Sequence, residues 1–209
     1  MSNNAFNEKI EKELKVILLG ECGVGKTNII LRYIQDKYDE DSITTTGSSY
    51  IMKRIKKDNI TYRLNIWDTA GQEKFRSVTR MFLQEANIII LVYSIVDQLS
   101  FEGLDYWYNT VIDNCGNDVV IGIAGNKYDL YTEEVISEEK AEKYAQEKNA
   151  VFKLVSAKSN KGSIDELFDM ILDEYIKKST GVRKNIKNSN IKINNKQKSE
   201  VKEKKNKCC

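Results

Sequence analysis

Gly20-Glu-Cys-Gly-Val-Gly-Lys26-Thr27 places glycines, a lysine and a hydroxyl at the spacing Gly-x-x-x-x-Gly-Lys-Thr. An apolar run, Leu14 to Leu19, leads into it, and an apolar-periodic run, Asn28 to Ile34, leads out. The order is therefore strand, glycine-rich loop, helix, which is the context a phosphate-binding P-loop requires. Glycines let the backbone curl until successive N–H groups point into one concavity that can cradle phosphate oxygens. The helix starting there adds unpaired N–H groups and a positive dipole end. Lys26 can reach a β/γ-phosphate pair, and the Thr27 hydroxyl can ligate Mg²⁺. The bland alternative is a glycine-rich turn with no ligand.

Three further segments follow in order. Trp67-Asp68-Thr-Ala-Gly71-Gln72-Glu73 ends the alternating run Thr61 to Trp67. Asn126-Lys127-Tyr-Asp129 ends the apolar run Val119 to Ala124, and Ser156-Ala157-Lys158 follows Val151 to Val155. Each sits at the C-terminal end of an expected strand, where open α/β sheets bind ligands. A lone Asn-Lys-x-Asp carries little weight in a chain this rich in Asn, Lys and Asp. Four motifs in one order, each at a strand end, carry much more.

On these residues the chain resembles a Ras-superfamily small GTPase, and within that superfamily a Rab, over roughly residues 14 to 178. Asp68-Thr-Ala-Gly-Gln-Glu73, the following Lys74 to Thr79, and the terminal Cys208-Cys209 carry the Rab resemblance. Guanine offers N1–H and an exocyclic amino group, and one carboxylate accepts from both. Asp129 is placed for that bidentate contact, whereas adenine would leave the charge unpaired. A helix-starting or turn carboxylate is the alternative for Asp129. The resemblance implies that the Ala157 N–H meets guanine O6 and that Asn126 ties the base loop to the P-loop. It also implies that Lys127 and Lys158 lay their stems on the base faces and that Tyr38 stacks across its edge. Gly23, Val24, Gly25, Lys26, Thr27, Asn28, Gly71 and Ser156 complete the expected nucleotide-binding set.

Mg²⁺ prefers octahedral oxygen coordination and keeps several waters. Thr27 is expected to supply one ligand and Asp68 to act through a coordinated water. Thr45 fits the switch threonine that reaches Mg²⁺ only beside a γ-phosphate. Thr44, Thr45 and Thr46 are consecutive, and the following Gly47 selects Thr45. Gln72 is assigned to orienting the water that attacks the γ-phosphoryl group. The chain contains no histidine, which excludes a histidine general base. With no arginine obviously available in cis, the intrinsic rate is expected to be slow, and an activating protein to supply charge in trans. Cys22 occupies the position beside the γ-phosphate. It leaves open both a tolerated small side chain and a hydrolysis-impaired protein that stays GTP-bound as a scaffold.

The elements that must position these residues follow from periodicity. Strands are expected at Leu14–Leu19, Tyr50–Lys56, Thr61–Trp67, Ile88–Ser94, Val119–Asn126 and Val151–Val155. Helices are expected at Lys26–Gln35, Glu73–Gln84, Ser100–Cys115, Ser137–Lys148 and Ser163–Lys178. Lys57-Asp-Asn-Ile60 reads as a hairpin turn, and Ser163-Ile-Asp-Glu166 as a capping box. The fold class is α/β: a P-loop NTPase G domain with a mostly parallel six-stranded sheet, one antiparallel strand, and helices on both faces. Residues 1–13 form a short N-terminal extension, 14–178 the G domain, and 179–209 a basic tail.

A formal charge of +2 conceals an asymmetry. From Lys177 onward twelve Lys/Arg accompany two Glu, a net of +10, so the remainder carries −8. That tail has no aromatic residue and few apolar ones, and is expected to be disordered. Its terminal Cys208-Cys209 resembles a double prenylation site, with the upstream lysines drawn to an anionic leaflet. The acidic body argues against nucleic acid. No signal peptide or membrane span is apparent, and four cysteines without zinc spacing suit a reducing cytosol. The resemblance implies as partners an exchange factor, a GTPase-activating protein, a prenylation escort, a GDP-dissociation inhibitor and effectors. It also implies a monomer on the cytoplasmic face of endosomes or vesicles, exchanging with cytosol. Tyr50, Trp67 and Phe82 match the aromatic trio that Rabs present to effectors, with hairpin or core aromatics as the alternative. Thr46-Gly-Ser-Ser-Tyr50 and Phe82-Leu-Gln-Glu-Ala86 depart from the family pattern, which implies a divergent effector set. The small residues before Tyr50, with Asn160-Lys-Gly, resemble endocytic Rabs more than secretory ones.

Overall fold

The structure is a computed structural model that describes residues 10–40, 49–69, 81–159 and 162–181. The chain divides into two units, Met1–Ile171 and Leu172–Cys209. In the first, six strands form one sheet: β1 (Ile10–Leu19), β2 (Ser49–Lys57), β3 (Ile60–Asp68), β4 (Ile88–Ser94), β5 (Val120–Asn126) and β6 (Val151–Leu154). Their spatial order is β2-β3-β1-β4-β5-β6. Every neighbouring pair is parallel except β2 with β3. That pair is a hairpin whose turn residues Asp58 and Asn59 both take left-handed φ, 51° and 62°. A two-residue turn of that kind matches the twist of the strands it joins.

The chain leaves β1 toward one edge of the sheet and leaves β4 toward the other. The order therefore reverses between these two strands, which is where ligands bind in open α/β sheets. All seven residues of β4 and of β5 are buried, as strands covered on both faces require. β3 alternates between buried and half-buried positions. On one face Ile17, Leu19, Ile89, Leu91, Ile121 and Ile123 pack with Leu104, Trp107, Val111, Ala141 and Ala145 from the covering helices. The opposite face receives Ile171, whose Cδ1 approaches Gly122 so closely that a Cβ there would lie 2.3 Å away.

The helices of this unit are α1 (Lys26–Gln35), α2 (Gln98–Glu102), α3 (Leu104–Cys115) and α4 (Glu138–Glu147). Helical residues 162–181 form α5. The bounds of α1 and β4 agree with the sequence expectation, and most other ends shift by a residue or two. Ser137 caps α4, its hydroxyl accepting from Lys140 N–H. Of the second unit, residues 172–181 are described. Lys177 Nζ lies 3.5 Å from Glu174 Oε2, and Thr180 Oγ1 donates back to Ile176 O at 2.8 Å.

Four expectations need correction. β1 starts at Ile10, so residues 10–13 belong to the sheet and not to an extension; they pair in register with Ile60 to Arg63. Backbone pairing, which is indifferent to side-chain polarity, carries the strand beyond its apolar run. The helix expected at Ser100–Cys115 is two helices that break at Gly103, and the first is capped by Asp97, whose Oδ1 accepts from Leu99 and Ser100 N–H. α5 is already helical at 162, so Ser163 lies within its first turn instead of at the cap. Its hydroxyl accepts from Ser156 N–H at 3.3 Å. α5 also continues to 181, three residues into the stretch read as tail.

Candidate functional site

At the end of β1 the chain turns through Gly20 to Gly25 into α1. Gly20 has φ +149°, and a Cβ there would stand 2.1 Å from Val92 O, so the loop can leave β1 over β4 only without a side chain. Gly25 has φ +94° and precedes the first residue of α1; a Cβ there would meet Asn126 Nδ2 at 2.4 Å. Among these loop residues Cys22 and Gly23 are exposed and Val24 is buried.

Lys26 is buried, and its ammonium folds back under the loop to donate to Gly20 O at 2.9 Å and Glu21 O at 2.8 Å. Burial pulls its pKa down to about 8, opposed by the charge of Asp68 and then by Cys22 and Glu21. Thr27 Oγ1 donates to Asp68 Oδ2 at 2.7 Å across the loop. Asp68 is buried at the last position of β3, and its other oxygen, Oδ1, has no hydrogen-bond partner among the described residues. Burial pushes this carboxyl up, against the Thr27 hydrogen bond and the Lys26 charge. Among the described residues the ammonium is held by two carbonyls and one carboxylate oxygen lacks a donor, so both are under-satisfied. They suit an anion and a hard, oxygen-seeking cation respectively, so the residues present fit a phosphate–Mg²⁺ pair.

The opposite wall is built at the ends of β5 and β6. Asn126 is 2% exposed, donates from Nδ2 to Val24 O at 2.8 Å, and accepts from Ala157 N–H at 3.2 Å. The expected tie between the two loops is therefore a pair of hydrogen bonds through one carboxamide. The Ala157 N–H, which the resemblance turns toward a purine oxygen, is given to Asn126 at a length near the long end for such a bond. Asp129 Oδ1 accepts from Ser156 Oγ at 2.5 Å, and the same hydroxyl accepts from Ser159 N–H. Lys127 adopts left-handed φ, +67°. Lys158 Nζ pairs with Glu40 Oε1 at 3.0 Å and lies 5.9 Å from the Tyr38 ring centre. Asn28 holds the same segment to α1, donating to Asp39 O and accepting from Asp39 N–H, both at 3.0 Å. Thr45, Gly71, Gln72, Cys208 and Cys209 lie outside the described residues, as do most of the helix expected at Glu73–Gln84 and the tail from 182.

Two participants were not visible in the sequence. Arg32 of α1 reaches the carbonyls of Ala157 and Lys158. Its spacing to Asp36 signals only a surface i,i+4 pair. Glu21 Oε1 accepts from Trp107 Nε1 at 3.1 Å and would sit 3.0 Å from a Cβ on Gly103. The break between α2 and α3 thus makes room for a carboxylate that tethers the P-loop to α3. No single-sequence pattern links positions so far apart.

The model of the Ras family matches residues 15–177 of this chain. Ras-related protein SEC4 of Candida albicans is 34% identical over 172 residues, covering 80% of this chain and 81% of that protein. Ras-related protein Rab-21 of Homo sapiens is 42% identical over 154 residues, covering 74% and 68% respectively. The chain belongs to the Ras family, as a Rab-type small GTPase.

Proteins of this family are GTPases that bind GTP or GDP with Mg²⁺. In this Rab, Tyr50, Trp67 and Phe82 form one contiguous aromatic row, with Tyr50 and Trp67 centroids 5.4 Å apart and Trp67 and Phe82 centroids 5.6 Å apart; Trp67 and Phe82 are half-buried and also pack against the core. Tyr50 is 51% exposed, and Lys15 Nζ lies 5.5 Å over the Trp67 ring. Cys115 ends α3 and donates through Sγ to Leu83 O at 3.3 Å. No helix among the described residues is long and apolar enough to cross a membrane.

The depressed Lys26 pKa has a stability consequence in the nucleotide-free protein. Between about 8 and the ordinary 10.5, the unfolded chain holds a proton that the folded chain has released. Folding stability therefore rises with pH through that window. Tyr33, Tyr93 and Tyr144 are pushed up by burial and reverse the trend above the ordinary tyrosine range. Urea unfolding in EDTA is expected to show a gain of roughly 2 kcal/mol from pH 7.5 to 9.5. Lys26→Met should flatten that rise, and a flat wild-type profile would contradict the buried ammonium.

Proposed function

We propose that this Rab-type chain binds GDP and GTP with Mg²⁺, hydrolyses GTP slowly, and acts as a membrane-anchored switch that recruits effectors in vesicular traffic. The observation that carries the reading is the Asn126 carboxamide. It joins the Val24 carbonyl of the phosphate loop to the Ala157 N–H of the base loop, beside the Ser156-braced Asp129. A site with its phosphate and purine ends fastened together selects for a complete nucleotide.

In this reading Lys26 exchanges its two carbonyl partners for phosphate oxygens, and the loop N–H groups receive the rest of the charge. Thr27 and Asp68 hold Mg²⁺, with Thr45 joining them in the GTP state. The ion when bound supplies positive charge across the β- and γ-phosphates. Gln72 orients the attacking water. Asp129 accepts from the guanine N1–H and amino group, while Lys127, Lys158 and Tyr38 enclose the ring. Cys22 is exposed at the loop, and the hydrolysis-impaired alternative turns on Gln72, which lies outside the described residues.

The Rab resemblance supports exchange factors, activating proteins, a prenylation escort, a GDP-dissociation inhibitor and effectors as partners, the last docking on Tyr50, Trp67 and Phe82. Cys208 and Cys209 are proposed to carry two prenyl groups that hold the protein on the cytoplasmic face of endosomal or vesicular membranes. The endocytic placement rests on Ser48-Ser49 before Tyr50 and on Asn160-Lys161-Gly162.

The base assignment is tested by Asp129→Asn. Losing two hydrogen bonds to a charged acceptor is expected to weaken GDP by about a hundredfold or more. Xanthosine diphosphate, which offers a 2-oxo group to the new amide, should gain affinity. Unchanged GDP affinity by calorimetry would remove Asp129 from the site. For the anchor, a fluorescent fusion lacking Cys208 and Cys209 should be diffuse where the intact fusion decorates membranes; equal membrane signal from both would refute lipidation.

A further inference from the structure

Arg32 lies on α1, the helix that opens with Lys26 and Thr27. Its side chain is 17% exposed, and four of its five N–H donors are engaged. Nε donates to Ala157 O at 2.8 Å and Nη2 to Lys158 O at 2.9 Å. Nη1 donates to Asp36 O at 3.2 Å and to Asp36 Oδ1 at 3.0 Å. One rigid fork thus grips two consecutive carbonyls of the loop after β6 and the left-handed residue that caps α1.

An ordinary surface ion pair does not explain this arrangement. The Asp36 carboxylate is mostly exposed, and an i,i+4 pair of that kind contributes little to stability. It also occupies only Nη1. The bonds from Nε and Nη2 reach residues more than 120 positions away in sequence, and hydrogen bonds from a charged donor are the stronger class. They hold the far side of the same short segment whose Ala157 N–H is taken by Asn126. Lys158, gripped through its carbonyl by Arg32, pairs through its ammonium with Glu40, beyond the α1 cap.

We propose that Arg32 is a positioning residue for base recognition, clamping the Ala157-Lys158 segment to α1 so that this segment presents a fixed face to the 6-position of the purine. This rests on the guanine-nucleotide reading above and adds to it a determinant of how long the nucleotide stays. A lysine could supply the charge here, but as a point donor it cannot span two carbonyls and a helix cap.

The test is the release rate of a fluorescent GDP from Mg²⁺-loaded protein, measured for wild type, Arg32→Lys, Arg32→Ala and Asp36→Asn. Both Arg32 variants are expected to release about tenfold faster, the loss of one charge-assisted hydrogen bond or more. Asp36→Asn, which leaves the two loop carbonyls gripped, should match wild type. A second readout separates positioning from general loosening. 6-Thioguanosine diphosphate keeps the N1–H and the amino group that face Asp129 but replaces O6 with a larger, more weakly accepting sulfur, whereas inosine diphosphate keeps O6 and N1–H but lacks that amino group. In the Arg32 variants the preference for GDP over the thio compound should narrow, while the preference over inosine diphosphate holds. Unchanged release, or both preferences falling together with a lower melting temperature, overturns the role of Arg32. Wild type that fails to retain GDP at all overturns instead the nucleotide reading on which it rests.

Discussion

One buried carboxamide governs the candidate site. Asn126 has a donor and an acceptor in a fixed plane and spends both, one on the P-loop and one on the loop after β6. Its backbone carbonyl accepts from Ile95 N–H at 3.0 Å, so the exit of β4 is fastened to the same residue. The contact is possible because Gly25 has no side chain, since a Cβ would stand 2.4 Å from the amide nitrogen. At 2% exposure water cannot substitute for either partner. Leaving one of those partners unmade would cost about 1–3 kcal/mol. The glycine pattern of the phosphate loop and the asparagine of the base loop are thus two sides of one packing constraint.

Around that contact the site is under-satisfied in a directional way. The Lys26 ammonium is buried against carbonyls, and Asp68 Oδ1 has no donor among the described residues. Among the described residues Arg63 Nε, Tyr93 Oη and Ser94 Oγ are also buried without a hydrogen-bond partner, whereas Asp129 pairs with Ser156, Thr69 with Leu18 O and Ser100 with Asp97 O. An under-coordinated ammonium and carboxylate brought together at one strand-end crevice suit a ligand site. Arg32 and Glu21 act at its margins, the first gripping the base loop and the second fastening the phosphate loop to Trp107 of α3.

Much of this was legible in the sequence because the informative residues are clustered by strand ends. A phosphate loop needs its glycines, lysine and hydroxyl within eight positions, and the base-binding residues occupy two short runs. The strands β4 and β5, buried on both faces, announce themselves as apolar runs. What the sequence did not reveal depends on distance or on backbone alone. Residues 10–13 are polar and join β1 only through pairing with β3. Gly103 looks like a tolerated helix glycine until Glu21 is seen against it. Arg32 offers a local partner in Asp36 that hides its more consequential grip on Ala157 and Lys158. Ser163 fits a capping box by spacing, yet the helix begins earlier and its hydroxyl serves Ser156.

The coupling through Asn126 can be examined directly by backbone hydrogen exchange in Asn126→Ala, compared with wild type. The account predicts that exchange accelerates together in two places, the segment 20–27 and the segment 155–159, while β4 and the centre of α3 keep their protection. Acceleration confined to one of the two segments, or protection unchanged in both, would mean that the phosphate and base loops are held independently, contrary to the view taken here.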